Sequence, residues 1–179
     1  MTHSYRADTY GAATHDVDGG PGRGGGLRQT ATRHALLPLR IFLGVTFVYA
    51  GIDKLTQNGF FAASGPGSVG EMMRGVRDSS AVPALVDLAL KNPAGFGYAI
   101  AIGELAVGLG ALFGVLTRLA AFGGVLLSLS LWLTVSWQST PYYYGNDLPY
   151  LMAWVPLVLA GAPSFSLDAL RAGRRRRIR

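Results

Sequence analysis

The chain has 179 residues, half of them hydrophobic and only 15% charged, with a formal net charge of +6. With a mean hydropathy of +0.30, this composition belongs to the membrane class, and arginine gathered toward the two ends suits membrane orientation better than nucleic-acid binding. Cysteine is absent, which excludes disulfides, thiolate catalysis, cysteine-ligated iron–sulfur clusters and zinc–thiolate sites together, so any redox chemistry needs a borrowed cofactor.

Residues 1–34 include "GGPGRGGGLRQTATR", which cannot bury enough apolar surface to offset ordering entropy and reads as a disordered cytoplasmic tail. A basic stretch before the apolar run from Ala35 also resembles a signal peptide. However, Gly51 is followed by Asp53 and Lys54, charges that a cleavage site does not carry. Ala35 to Leu55 is therefore the first of four spans. Its residues Arg40, Gly44, Phe47, Gly51 and Lys54 fall at i, i+4, i+7, i+11 and i+14, one stripe of a helix. The glycines allow close helix approach. Arg40 is expected to snorkel to cytoplasmic headgroups or to hold a tail carbonyl, with Asp53 and Lys54 at the outer interface.

Residues 56–95 form a long outer loop. Ser68 and Glu71 have capping-box spacing before "GEMMRGVRDS", and "AVPALVDLALKNP" places apolar residues at helical intervals, so two short helices are expected to cap the outer face or to cover a ligand. The second span, Phe96 to Leu116, repeats the stripe with Glu104, Gly108, Ala111, Val115 and Arg118. Gly110 and Gly114 add a second pair of small residues for packing. Glu104 falls near the bilayer midplane, where an ionised side chain costs at least about 2.5 kcal/mol. It needs to be protonated, hydrogen-bonded by Tyr49, Ser128, Tyr150 or Trp154, or paired with Lys54 or Arg40.

The third span, Leu119 to Trp137, follows after "LTRLA", a link short enough for an antiparallel hairpin. The loop "QSTPYYYGND" then leads to a fourth span over residues 148–162, in which Pro149 fits a first turn and Pro156 is expected to kink the helix. The four spans and the outer loop make a membrane domain over 35–163, and residues 164–179 are a basic cytoplasmic tail. Every arginine-dense segment falls on one side of this arrangement, so both termini are expected in the cytoplasm of a bacterial-type plasma membrane. The expected fold is an all-α integral membrane four-helix bundle with short helices in its outer loop.

The outer half of such a bundle is lined by Tyr49, Asp53, Lys54, Glu104, Asn146, Asp147 and Tyr150, and Tyr49, Lys54, Glu104, Asn146, Tyr150 and Trp154 are the candidate ligand-binding residues. Glu104 is also the candidate proton-carrying catalytic group, while Arg40, Gly44, Gly51, Gly108, Gly110 and Gly114 read as packing residues. The three histidines lie outside the spans without paired spacing, so neither haem nor a metal is expected.

As a set, "LRIFLGVTFVYAGIDKL", "AIGELAVGLGALFGVLTRLAA", "GNDLPYLMAWVPLVLAG" and "SLDAL" resemble the DoxX/DoxD-like membrane proteins, which include the DoxD-type subunit of thiosulfate:quinone oxidoreductase. The resemblance runs from about Leu36 to Leu170. It implies a four-helix integral membrane protein, often a subunit of a redox complex, with a quinone as electron acceptor in the best-defined members, but it does not imply thiosulfate here. The expected donor is a small sulfur reductant or a partner protein such as a second redox subunit. The competing readings are a non-catalytic scaffold for soluble redox-defence proteins and a small transporter.

Overall fold

The computed structural model describes residues 34–162 and 164–168. The expected tails lie outside them, apart from His34 and the short segment after the last helix. Every regular element among the described residues is helical.

Helix α1 is Leu37–Thr56. Proline in its first turn removes an N–H that has no intrahelical acceptor there. The face it buries is Arg40, Leu43, Gly44, Phe47 and Gly51. At the far end of α1 the chain turns into α2, Val69–Val76, a 3-10 turn over Arg77–Ser79, and α3, Pro83–Lys91. Together these form a cap with its own core of Phe60, Val69, Met73, Val86 and Ala89. Only half of the capping box closes. Ser68 Oγ accepts from the Glu71 amide, whereas the Glu71 carboxylate accepts from the Gly65 amide, because the Ser68 amide is taken by the Gly65 carbonyl.

Helix α4 is Pro93–Phe113. It starts before Phe96 because the Asn92 side chain accepts from the Gly95 amide and Pro93 occupies the first turn. It stops at Gly114, whose φ of +63° provides a left-handed C-cap that favours glycine. Gly114 is therefore a turn residue and not part of a helix-packing pair. The stripe from Glu104 ends there too, since Val115 and Arg118 lie beyond the helix.

Helix α5, Thr117–Leu131, continues as a π-helix over Trp132–Ser136. The last turns of the third span, Leu119 to Trp137 in the sequence, are thus wound differently from the rest. A π turn displaces a carbonyl from the i→i+4 ladder, and here the Leu133 carbonyl accepts instead from the Ala81 amide and Ser80 Oγ of the cap. Helix α6 is Asp147–Ala160, with Pro156 inside it.

α1 packs most extensively on α4, and α5 on both α4 and α6. Glycine sets the spacing. A Cβ at Gly108 would lie 2.8 Å from the Val48 amide nitrogen, one at Gly51 2.8 Å from the Ala101 carbonyl, and one at Gly110 2.7 Å from the Ala120 Cβ. A Cβ at Gly124 would meet the indole of Trp154. Leu43, Phe47, Val107, Ala111, Ala121, Trp154 and Leu157 fill the space between the four longer helices. Pro93–Phe113 and Thr117–Ser136 are long and apolar enough to cross a membrane. α6 is a shorter apolar helix, and α1 carries Arg40, Asp53 and Lys54.

Opposite the cap, residues 164–168 run back under the helix ends as a strap. Arg40 Nη1 donates to the Ser164 carbonyl at 2.9 Å and Nη2 to the Phe165 carbonyl at 2.6 Å. The Asp168 carboxylate accepts from the amides of Leu116 and Thr117 and from Thr117 Oγ1, so it caps α5 from a distant part of the chain.

Candidate functional site

The most concentrated chemistry is an ion pair between α1 and α4. Lys54 Nζ donates to both oxygens of Glu104, at 2.9 and 2.8 Å. Glu104 is only 3% exposed, and the Lys54 side chain 23%. Register and side-chain direction bring them together. Gly44 faces Gly108 and Gly51 faces Ala101, so Glu104 is level with Val48, and Lys54 sits about 9 Å further along at 1.5 Å per residue. Helical side chains lean toward their own N-terminus. In this antiparallel pair Lys54 leans down and Glu104 leans up, which closes the gap.

The same lean carries Arg40 away from Glu104 and into the strap. With 4% exposure it does not snorkel to headgroups, and of its two expected roles it takes the holding of carbonyls.

A third charged group completes the cluster. Asp147, at the first turn of α6, interacts electrostatically with both Lys54 and Glu104. Its carboxylate accepts a hydrogen bond from Ser136 Oγ, which the π-helix carries. Asp147 is among the residues expected to line the outer half of the bundle, whereas Ser136 is not. The π turn that aims Ser136 leaves no mark in hydropathy.

The other candidates separate. Tyr49 is 71% exposed, because it falls on the side of α1 opposite the buried stripe. Asn146 is exposed at the start of α6, where its side chain makes no cap. Tyr150 packs edge-on against Phe47 at 5.8 Å. Trp154 is fully buried and edge-on to Phe47 at 5.0 Å, so it belongs to the core and not to the exposed aromatic group of Trp137, Tyr142, Tyr143 and Tyr144. Trp154 Nε1 and Ser128 Oγ are buried without a hydrogen-bond partner. Ser128 lies one turn from Gly124 toward the cap, on the helix face that meets Trp154. An apolar groove between α4 and α5, lined by Leu109, Gly110, Phe113, Leu116 and Leu119 among others, lies in the strap half of the molecule and carries none of these polar groups.

No curated protein and no solved structure matches the chain. The DoxX family model matches residues 35–137, a stretch that contains both partners of the buried ion pair and both helices apolar enough to cross a membrane. Matched over more than half its length, the chain belongs to the membrane-associated DoxX family.

Proposed function

We propose that this protein is a multi-pass membrane subunit of a quinone-linked redox complex. In this reading α1, α4, α5 and α6 form a four-helix membrane bundle, the cap faces outward, and both termini are cytoplasmic. The observation that carries it is the Lys54–Glu104 pair with Asp147 beside it. Buried charges are costly in an apolar bundle, and ionisable residues at such depth mark proton or ligand sites by default.

A quinone headgroup bound there accepts two electrons and two protons. The residues suit it in part: the ammonium of Lys54 offers donors to a carbonyl oxygen, the carboxylates of Glu104 and Asp147 hold and release protons, and the unpartnered donors Ser128 Oγ and Trp154 Nε1 lie deeper in the same bundle. Tyr49 and Asn146 have no part in it. Electrons come from a second redox subunit or from a small sulfur reductant, since the chain has no cysteine with which to carry them itself.

The test is to extract purified protein for bound menaquinone or ubiquinone and to titrate a short-chain quinone against tryptophan fluorescence. The expected result is co-purifying quinone, with quenching that weakens at least several-fold in Lys54→Ala and Asp147→Asn. Absence of quinone together with identical quenching in all three proteins overturns the reading and leaves a membrane scaffold for soluble redox-defence proteins.

A further inference from the structure

The π turn at the end of α5 is held from two sides. Its Leu133 carbonyl accepts from the Ala81 amide at 2.9 Å and from Ser80 Oγ at 3.1 Å, both in the segment between the two cap helices. Ser80 is buried, and its hydroxyl oxygen also accepts from the Val82 amide at the entry to α3. Val135, in the same turn, packs against the cap core. On the other side Ser136 Oγ donates to the Asp147 carboxylate, and a Cβ on Gly145 would stand 2.9 Å from the Ser136 Cβ. Trp132–Ser136 therefore touches both the cap and the start of α6.

The turn depends on the cap for its form. The preceding carbonyls of Leu127 and Ser130 accept from hydroxyls of the same helix, Ser130 Oγ and Thr134 Oγ1, whereas the Leu133 carbonyl takes its donors from the cap. Without those donors a displaced carbonyl in an apolar bundle is left unpaired, which favours rewinding the turn as α-helix. A π turn holds one residue more than an α turn, and an α-helix advances about 100° per residue, so rewinding swings the residues beyond by about that angle. Ser136 is at the end of the turn. The swing carries its hydroxyl off Asp147.

We propose that the cap governs the charged site through this turn: Ser80 and Ala81 hold the Leu133 carbonyl, the held turn aims Ser136, and Ser136 fixes the Asp147 carboxylate. Ser136 and Ser80 are thus positioning residues for Asp147, one by direct contact and one through the backbone. Asp147 interacts electrostatically with Lys54 and Glu104, so a displacement of the cap reaches the whole cluster. The consequence for a bound quinone rests on the redox reading above, whereas the link from Ser80 to Asp147 does not.

The experiment uses the full chain in nanodiscs, isotope-labelled at the aspartate side-chain carboxyl, and follows the infrared band of Asp147, identified as the labelled band lost in Asp147→Asn. Ser136→Ala removes the donor and is expected to shift this band. Ser80→Ala, a change at a hydroxyl that reaches Leu133 and Val82, is expected to shift it in the same direction, and Ser80→Thr, which keeps a hydroxyl, to leave it in place. Ser79→Ala is the control for a loosened cap, because the Ser79 hydroxyl donates within the cap to the Val76 carbonyl. It is expected to leave the band at its wild-type position. A band unmoved by Ser136→Ala overturns the role of Ser136. A band that moves with Ser136→Ala but not with Ser80→Ala, or equally with Ser79→Ala, overturns the link to the cap. Coupling is reciprocal, so Ser136→Ala is also expected to lower the protection of the Ala81 amide against hydrogen exchange several-fold. Unchanged protection overturns the link as well, and this measurement decides the matter if Ser80→Ala loses helix content. No quinone enters either measurement, so the two proposals fail independently.

Discussion

At the scale of single residues, the Lys54–Glu104 pair decides the sign of several substitutions. Glu104→Leu leaves the Lys54 ammonium facing the bundle without its carboxylate, a loss of about 1–3 kcal/mol, moderated because the Lys54 side chain is 23% exposed. Glu104→Gln keeps an acceptor and is expected to lose less. Replacing both residues by leucine removes the desolvation cost along with the pair, so the double variant is expected to unfold at a higher temperature than Glu104→Leu alone. Thermal unfolding in detergent checks all three, and a double variant no more stable than Glu104→Leu would show that the pair is not the operative contact. Glu104 was legible as an anomaly from its depth alone. Its partner was not, since both Lys54 and Arg40 lie on the α1 stripe and only the lean of the side chains separates them.

At the scale of elements, glycine contacts and the cap carry the predictions. Gly108→Val places atoms against the Val48 backbone, which cannot rotate away as a side chain can, so the helices must separate at a cost of about 1–3 kcal/mol. Gly75→Ala in α2 is the control. Nothing lies within 4 Å of its added Cβ, and helix propensity favours alanine by about 1 kcal/mol, so unfolding temperatures are expected to fall for the first variant and to hold or rise for the second. In the cap, Arg77 Nε and Nη2 donate to the two oxygens of Asp87 and hold its carboxyl below the usual aspartate range. A lowered folded-state pKa means that the contact contributes fully above the unfolded value of about 3.9 and is lost as pH falls through the folded value. Protection of α2 and α3 amides against hydrogen exchange, relative to the intrinsic rate at each pH, is therefore expected to fall below about pH 4, with Asp87→Asn removing that dependence. If Asp87→Asn exchanges like wild type across the range, the ion pair does not hold the cap closed. The short helices of the cap were readable from Ser68, Glu71 and the apolar spacing of the second segment. The π turn was not, because its displaced carbonyl is stabilised by Ser80 and Ala81, far away in sequence.

At the scale of the whole molecule, the arginine distribution predicts that both termini share one side of the membrane. An alkaline-phosphatase fusion at the C-terminus is expected to be inactive and one in the cap active, and the reverse pattern would turn the charged cluster toward the cytoplasm. The sequence by itself determined that the chain is helical, that it has the composition of a membrane protein, and that it is built from the stripes carrying Arg40, Gly44 and Gly51 on one helix and Glu104 and Gly108 on another. Composition and periodicity are local properties, and hydropathy reports them without knowledge of neighbours. Only the tertiary structure decided which charge meets which. The glycine contacts set the register of α1 against α4, that register and the antiparallel lean deliver Lys54 to Glu104, and the strap claims Arg40 and Asp168 at the other end. Tyr49 and Asn146 drop out of the site for the same reason. A residue's distance along a span is written in the sequence, but the direction in which its side chain faces a partner helix depends on a packing angle and register that no single segment contains.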